Sequence, residues 1–311
     1  MGGERRTVWI AFAVNASIAV LKGFAGAVTG SSATLAEAAH SVADTTNQGL
    51  LRLSLSLGER QPDEQHPFGY GKERFLWSLV ASLGIVVAGA VFSFARGLYS
   101  ILSGGEQGHE QFWLLYAVLG YSLVAESASL MRALRQTLPQ ARTRGLGLVA
   151  FSRESSDPTT KTVLYEDFAA VIGVLIAFAG VAAHQFTGDP LPDNVAAMAV
   201  GVLLIAVGVG LFRDTKGLVI GEAAPQDEQR RILAAIEGHD EVTAVLDLRT
   251  MYIGPGTLLV AARIDLQEGL DVAAIERVSE TIDCELREQV ASVGEVFLDP
   301  TLRGRVQVGR L

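Results

Sequence analysis

Six long apolar stretches fill the first two-thirds of this chain, and they constrain its fold more than any other feature. A helix needs about 20 mostly apolar residues to cross the hydrocarbon core of a bilayer. The first stretch is too long for the apolar core of a signal peptide, and no small-residue cleavage site follows a short core. The sequence therefore predicts an integral membrane protein with six transmembrane helices, at approximately 7–29, 31–57, 75–103, 111–135, 161–183 and 191–212.

Lysine and arginine are distributed unevenly between the connections of these helices. The connections around 29–32, 104–110 and 184–190 contain neither residue, whereas the connections on the other side contain many. Because cytoplasmic loops carry the excess of lysine and arginine, both termini are expected in the cytoplasm. A bacterial inner membrane is the default location for a chain without a recognisable targeting segment. Two cations, Lys22 and Arg96, lie inside spans and are expected either to snorkel or to pair with a buried acid.

The charge is concentrated in the last third of the chain. Residues 1–216 contain 16 basic and 17 acidic residues, whereas residues 217–311 contain 9 basic and 17 acidic ones, within a total net charge of −9. We therefore expect two domains, a transmembrane domain at 1–216 and a soluble acidic domain at 217–311. This balance excludes a basic nucleic-acid-binding protein, and the single cysteine, Cys284, excludes a disulfide framework.

The soluble segment has the pattern of a small α+β domain. Residues 225–237 and 271–291 repeat apolar positions at helical spacing, whereas 242–253 and 257–266 are typical of strands. Gly254-Pro255-Gly256 predicts a hairpin turn between these strands, and a short strand follows at 295–298. The order αββαβ predicts a ferredoxin-like, metallochaperone-like domain with two helices on one sheet face. Its free face or edge makes a homodimer plausible.

The second span carries polar residues that are costly inside a membrane. Each charged residue at the centre of a bilayer costs about 2.5–3.5 kcal/mol on insertion scales. Four polar residues follow one another at spacings of three, four and three positions, which places all of them on one helix face. The pair at i, i+4 offers one nitrogen and one oxygen ligand to a single divalent cation. The set consists of Glu37, His40, Asp44 and Asn47, and the ligand pair is His40 and Asp44.

Further acids lie in two other spans. Glu166 and Asp167 are adjacent in the fifth span, and Glu126 lies in the fourth. One interpretation is that all these groups join helices through hydrogen bonds. The combination of a His-x-x-x-Asp spacing with acids on separate spans favours a cation site instead. The sequence contains neither His-Glu-x-x-His nor Gly-x-Ser-x-Gly, so we do not expect an enzyme.

These motifs resemble those of the cation diffusion facilitator family. SSATLAEAAHSVAD at 31–44 is similar to the metal motif on the second helix of that family, and HPFGYGKER at 66–74 is similar to its cytoplasmic loop. Asp247-Leu248-Arg249-Thr250 and Asp299-Pro300 resemble motifs of its cytoplasmic domain. The resemblance extends over nearly the whole chain, from the six spans to the αββαβ domain.

The resemblance implies a homodimeric exporter of divalent transition-metal cations, with Zn²⁺ as the first expectation and protons as the counter-substrate. It places His40, Asp44 and Asp167 at the transport ligands, with no permanently bound cofactor. Many members have a histidine where this chain has Val163, so the fourth ligand is open between Glu166, Asn47 and water. Carboxylate-rich sites suit harder ions, which leaves an exporter that prefers Mn²⁺ or Fe²⁺ open, and Co²⁺ is a further candidate.

Two other metal sites occur within the family. Asp63 and His66 match a shallow site in the cytoplasmic loop, although a role in ordering that loop is an equal alternative. The binuclear site of the cytoplasmic domain is expected to be absent, because only Asp299 of its pattern remains. A membrane-anchored metal sensor or dimerising adaptor is the alternative function, and substrate-dependent flux would distinguish it from a transporter.

Overall fold

The structure is a computed structural model that describes residues 2–104, 111–143, 145, 147–154 and 158–301. Its first part consists of long helices, and a short helix at Leu148–Glu154 precedes the fifth of them. The third helix contains a π-helical segment at Ile85–Val91. The long helices are α1 (Gly2–Thr29), α2 (Ser32–Gly58), α3 (Glu73–Leu102), α4 (Phe112–Thr143), α5 (Pro158–Thr187) and α6 (Leu191–Ile220).

Most of these helices are long and apolar enough to cross a membrane. Among the described residues, five segments meet both conditions: Phe12–Thr29, Glu73–Leu102, Phe112–Thr143, Lys161–Thr187 and Leu191–Ile220. The exception is α2, which has 27 residues and therefore sufficient length. It is not apolar enough to be among the five segments, because the predicted site residues replace apolar side chains along it. The predicted helical membrane region is confirmed, and its most polar helix is the one with the predicted ligand pair His40 and Asp44.

Small residues allow the helices to approach one another closely, as is common in membrane proteins. A side chain at Gly97 of α3 would collide with the backbone of α6, and one at Gly201 of α6 would collide with α3. The first turn of α2 is bound by a neighbouring helix. Asp193 of α6 accepts hydrogen bonds from the Ser31 hydroxyl at 2.9 Å and the Ser32 backbone N–H at 2.6 Å. This carboxylate caps α2 and fixes the end nearest to the polar stripe.

The second part of the chain has the predicted αββαβ order. It contains α7 (Gln226–Glu237), β1 (Val242–Gly254), β2 (Thr257–Leu266), α8 (Val272–Gln289) and β3 (Val293–Pro300). The sheet order is β1-β2-β3, with β1 antiparallel and β3 parallel to β2. The predicted hairpin turn is confirmed, since Gly254 pairs with Thr257 and Gly256 has a positive φ of 66°.

One apolar core supports this α+β fold. Ile232 and Ile236 of α7 and Ile282 and Leu286 of α8 are fully buried against the sheet. Helix α8 begins at an aspartate cap, because Asp271 accepts a hydrogen bond from the Ala274 N–H at 2.7 Å. The core also contains Phe75 and Leu218, which precede the α+β elements in the chain.

The chain forms two compact units. The first comprises Met1–Ser56 and Leu76–Thr215, and the second comprises Leu57–Phe75 and Lys216–Leu311. The connection between α2 and α3 therefore groups with the α+β fold. Division of the chain into domains at residue 216 remains a prediction.

Candidate functional site

The predicted polar stripe of α2 faces the interior of the helical unit. Glu37, His40 and Asn47 are almost fully buried, and Asp44 is half-buried. Because α2 is helical throughout this region, the spacings of three and four residues keep these side chains on one face. Ionisable groups in such a position require partners or a function.

His40 is the residue of this stripe whose polar atoms are least satisfied. The residue is only 3% exposed, and neither Nδ1 nor Nε2 has a hydrogen-bond partner in the described part of the chain. Buried polar atoms are normally hydrogen-bonded, so each exception needs an explanation. A neutral imidazole with a free nitrogen is also the commonest protein ligand for transition metals. Either ring nitrogen of His40 is therefore available to a cation, while the other carries the proton of the neutral ring.

Asp44 lies one turn after His40 and has weak amide partners. Its Oδ2 accepts from Asn15 Nδ2 of α1 and from Gln48 Nε2, each at 3.3 Å. Across the helix interface, the carboxyl groups of Asp44 and Glu166 lie within hydrogen-bonding reach of each other. Two adjacent carboxylates inside a membrane repel each other unless a cation or a proton lies between them.

The acidic pair of α5 is held by two different helices. Asn47 Nδ2 of α2 donates to Glu166 Oε1. Ser129 Oγ of α4 lies 3.3 and 3.2 Å from the two carboxylate oxygens of Asp167. The structure thus brings Asp44, Glu166 and Asp167 into one polar region between α2, α4 and α5.

Helix α4 contributes another acid to the same region. Glu126 is 6% exposed and lies one turn before Ser129, on the same helix face. Its carboxyl group interacts electrostatically with Lys22 of α1 and with Asp44. Val163, by contrast, is 36% exposed. Its side chain has no donor atom, so the position at which many cation diffusion facilitators have a histidine supplies no ligand here.

The loop pair, Asp63 and His66, lies outside the helical spans. Asp63 Oδ1 accepts from the backbone N–H groups of Gln65 and His66 at 3.0 and 2.8 Å. Its Oδ2 accepts from the Tyr70 hydroxyl at 2.6 Å, and this bond is the main reason why the pKa of Asp63 is lowered. The same bond raises the pKa of Tyr70. These contacts describe an ordered loop, and a cation at this pair remains a prediction.

The candidate groups of the α+β fold are bound to neighbouring side chains. Asp299 accepts from Arg263 at 2.9 Å, in a pair that is about half exposed on each side. A turn position in the sequence predicts an exposed side chain for His239. In the structure its side chain is largely buried and lies 3.5 Å from Glu285.

No complete ligand shell is preassembled in the described residues. Among them, no group of three or more His, Cys, Asp or Glu side chains is close enough to hold a metal ion. The ligand set His40, Asp44 and Asp167, with Glu166 as a fourth member, therefore stays a prediction.

Three residues of this region were not identified as site residues from the sequence. Asn15 and Lys22 are seven residues apart in α1, which places both on the face that contacts α2. Ser129 follows Glu126 by three residues in α4. Polar residues at one-turn or two-turn spacing in an apolar helix were the signal that could have revealed them.

Comparison with known families assigns the chain. The model described as the cation efflux transmembrane domain matches residues 8–217, and the model described as the cation efflux protein cytoplasmic domain matches residues 224–299. The chain belongs to the cation efflux family. The expected membership of the cation diffusion facilitators is confirmed, and this family consists of transporters rather than enzymes.

Relatives of this cation efflux protein come from animals and bacteria. It is 33% identical over 263 residues to the human "Proton-coupled zinc antiporter SLC30A9, mitochondrial", which covers 85% of this chain and 46% of that protein. The "Magnetosome protein MamB" of Magnetospira sp. (strain QH-2) is 24% identical over 294 residues, or 94% of each chain. A solved nickel form of a MamM CTD variant is 19% identical, covers 25% of this chain and 99% of that chain, and superposes with a TM-score of 0.24.

Proposed function

We propose that this cation efflux protein exports divalent transition-metal cations in exchange for protons, with Zn²⁺ as the preferred substrate. One observation carries the proposal. His40 is buried in a membrane-spanning region with both nitrogens unpartnered among the described residues, one turn from Asp44. A structural histidine would be expected to form at least one hydrogen bond in that position.

The surrounding side chains supply the remaining ligands in this proposal. Zn²⁺ prefers about four ligands drawn from imidazole nitrogen and carboxylate oxygen. His40 and Asp44 provide two of them from α2, and Asp167 of α5 provides a third. Glu166 is the fourth in our scheme, because its carboxyl group already lies within reach of Asp44. Two or three carboxylates would also offset the charge of the dication inside the membrane.

Proton exchange follows from the same ligands. A metal ion requires neutral imidazole and ionised carboxylates, so metal ions and protons compete for the same atoms. Loading from a neutral cytoplasm and release towards a more acidic side would then couple the two fluxes. The lysine and arginine distribution supports cytoplasmic termini, and the membrane that contains the protein is left open.

The printed name of the human relative, a zinc antiporter, supports zinc as the substrate. The chain spans about half the length of the first curated relatives that it matches, as the 46% coverage of human SLC30A9 shows. The activity, substrate and partners of those longer proteins are therefore proposals for this chain. We also propose a homodimer, because residues 224–299 match the cytoplasmic domain model of the family.

A harder cation is the second candidate substrate. The polar region contains one imidazole, His40, whereas oxygen donors come from Asp44, Glu166 and Asp167 and an amide oxygen from Asn47. Such oxygen-rich sets favour Mn²⁺ or Fe²⁺ over softer ions. Competition between Zn²⁺, Mn²⁺, Fe²⁺ and Co²⁺ for the purified protein would rank these substrates.

Flux into proteoliposomes tests the proposal. We expect zinc uptake that increases when the vesicle interior is made acidic and that is lost in His40→Ala and Asp44→Ala. Val163→Ala serves as the matched control on α5, and it should retain uptake. Zinc uptake that ignores the pH gradient would contradict antiport, and no uptake of any of the four metals would favour the sensor or adaptor.

A further inference from the structure

Lys22 of α1 is the most completely buried cation in the described part of the helical unit, at 0% exposure. Its Nζ lies 2.9 Å from Glu37 Oε2 and donates to Ser41 Oγ at 3.0 Å. Both side chains of the ion pair are inaccessible to solvent. Lys22 therefore pairs with a buried acid and does not snorkel, which decides between the two outcomes that the sequence left open.

The two partners of Lys22 flank the candidate ligand. Glu37 precedes His40 by three residues and Ser41 follows it by one. Electrostatically, the ammonium acts on both His40 and Asp44. A dication bound to those two residues would therefore lie close to a fixed positive charge.

Glu37 could act as a cation ligand if Lys22 did not hold it in the ion pair. Its Oε2 contacts Lys22, but its Oε1 is buried without a hydrogen-bond partner among the described residues. That oxygen packs against Gly173 of α5, where any added side chain would collide with it. A carboxylate oxygen and an imidazole at i, i+3 on one helix face can bind the same ion.

We propose that Lys22 is a tethered competitor of the substrate cation: by binding Glu37 it withholds this carboxylate from a metal ion at His40 and Asp44, and so keeps binding weak enough for release. The inference rests on the proposed function and deepens it. It makes Lys22 and Glu37 determinants of affinity rather than only a link between α1 and α2. An additional carboxylate ligand would slow release of the ion, and a transporter must release its ion in every cycle.

Substitutions separate this role from a structural one. Lys22→Met frees Glu37 and removes the nearby positive charge, so the zinc Kd should fall on the order of tenfold, which corresponds to about 1.4 kcal/mol. Turnover should fall at the same time, because release becomes slower. Glu37→Gln leaves the ammonium without its counter-charge, so the Kd should rise by a similar factor. The double variant Lys22→Met/Glu37→Gln should return the Kd to within a few-fold of the original value.

The experiment measures zinc affinity and flux of the purified full chain. Chelator competition gives the Kd, and proteoliposome uptake gives KM and maximal rate separately. Lys216→Met, at an exposed position of α6, is the matched control and should change neither. Lys22→Gln repeats the first substitution with a side chain that retains hydrogen bonding. If neither Lys22 single variant folds, the comparison of Glu37→Gln with the double variant decides the question.

Distinct outcomes would overturn the two proposals. An unchanged Kd in both Lys22 variants, or a double variant that binds as tightly as Lys22→Met, would refute the withholding of Glu37. An unchanged zinc affinity in Glu37→Gln would refute it as well. The same holds if Glu37→Gln weakens binding and the double variant does not restore it. If His40→Ala and Asp44→Ala leave zinc binding intact, the transport site itself is wrong. A purely structural ion pair would reduce the amount of folded protein without separating Kd from turnover.

Discussion

The ion pairs Lys22–Glu37 and Arg263–Asp299, one in each unit of this protein, differ in their exposure to solvent. In the helical unit, Lys22 and Glu37 form an ion pair with 0% exposure on both sides. In the second unit, a pair of similar length between Arg263 and Asp299 is 50% and 57% exposed. Water screens the second pair, whereas the first exists only because each partner compensates the other.

The difference shows where a polar group is informative about function. An exposed carboxylate such as Asp299 in the acidic second unit already has an explanation in solubility. A buried imidazole such as His40, with no partner in the described residues, has no comparable explanation. Both Asp299 and His40 match motifs of the same family. The match at His40 is therefore stronger evidence for a metal ligand than the match at Asp299.

Removal of a carboxylate from the buried region should have the largest effect. Asp44→Ala is expected to abolish zinc flux in proteoliposomes, because the dication loses a ligand and a counter-charge. The matched substitution in the second unit, Asp299→Ala, should leave flux close to its original rate. Equal losses in the two variants would break the contrast between the units.

The apolar core of the second unit predicts the next largest effect. Phe75, in the first turn of α3, is fully buried in it, whereas Phe68 in the preceding connection is 50% exposed. Phe75→Ala should lower the free energy of unfolding of this unit by about 3–5 kcal/mol, as is usual for a buried phenylalanine. Hydrogen exchange of the β2 amides in the full chain measures this change. Phe68→Ala is the control, and an equal loss of protection would show that Phe75 is not part of the core.

The exposed ion pair predicts a much smaller change. Arg263→Ala should alter the stability of the second unit by only about 0–1 kcal/mol, because solvent-exposed pairs contribute little. Thermal unfolding at low and high salt provides the measurement. A loss comparable with that of Phe75→Ala would mean that this pair is more than a solvated surface contact.

The smallest effect concerns the connection between α2 and α3. The bond from the Tyr70 hydroxyl is the main reason why the pKa of Asp63 is below its usual value of 3.8. A lowered pKa stabilises the folded loop above that value, and this contribution is lost as the pH falls through the lowered pKa. Tyr70→Phe should therefore raise the pH at which Asp63 titrates, as followed by carboxyl NMR. An unchanged titration midpoint of Asp63 in Tyr70→Phe would show that the Tyr70 hydrogen bond does not lower its pKa.

Much of the fold was predictable because its signals are local. The long apolar stretches and the Gly254-Pro255-Gly256 turn each determine structure within a short window. Packing of Phe75 into the α+β core was not predictable, because it joins residues more than 140 positions apart in the chain. Sequence periodicity contains no information about such a contact.

The candidate site was predictable along each helix but not between helices. The four-residue spacing of His40 and Asp44 is sufficient to place both on one face of α2. The choice of Glu37 as the partner of Lys22, and of Ser129 as the partner of Asp167, depends on how α1, α2, α4 and α5 pack. The position of Val163 on an exposed surface depends on that packing as well.

Zinc K-edge absorption of the purified protein tests the central claim most directly. With one equivalent of Zn²⁺, the account predicts one imidazole among oxygen ligands, and this imidazole signal should disappear in His40→Ala. His66→Ala should retain the signal, since His66 belongs to the exposed loop. A spectrum without imidazole, or one that is unchanged by His40→Ala, would contradict the claim that the substrate cation binds at the buried histidine of α2.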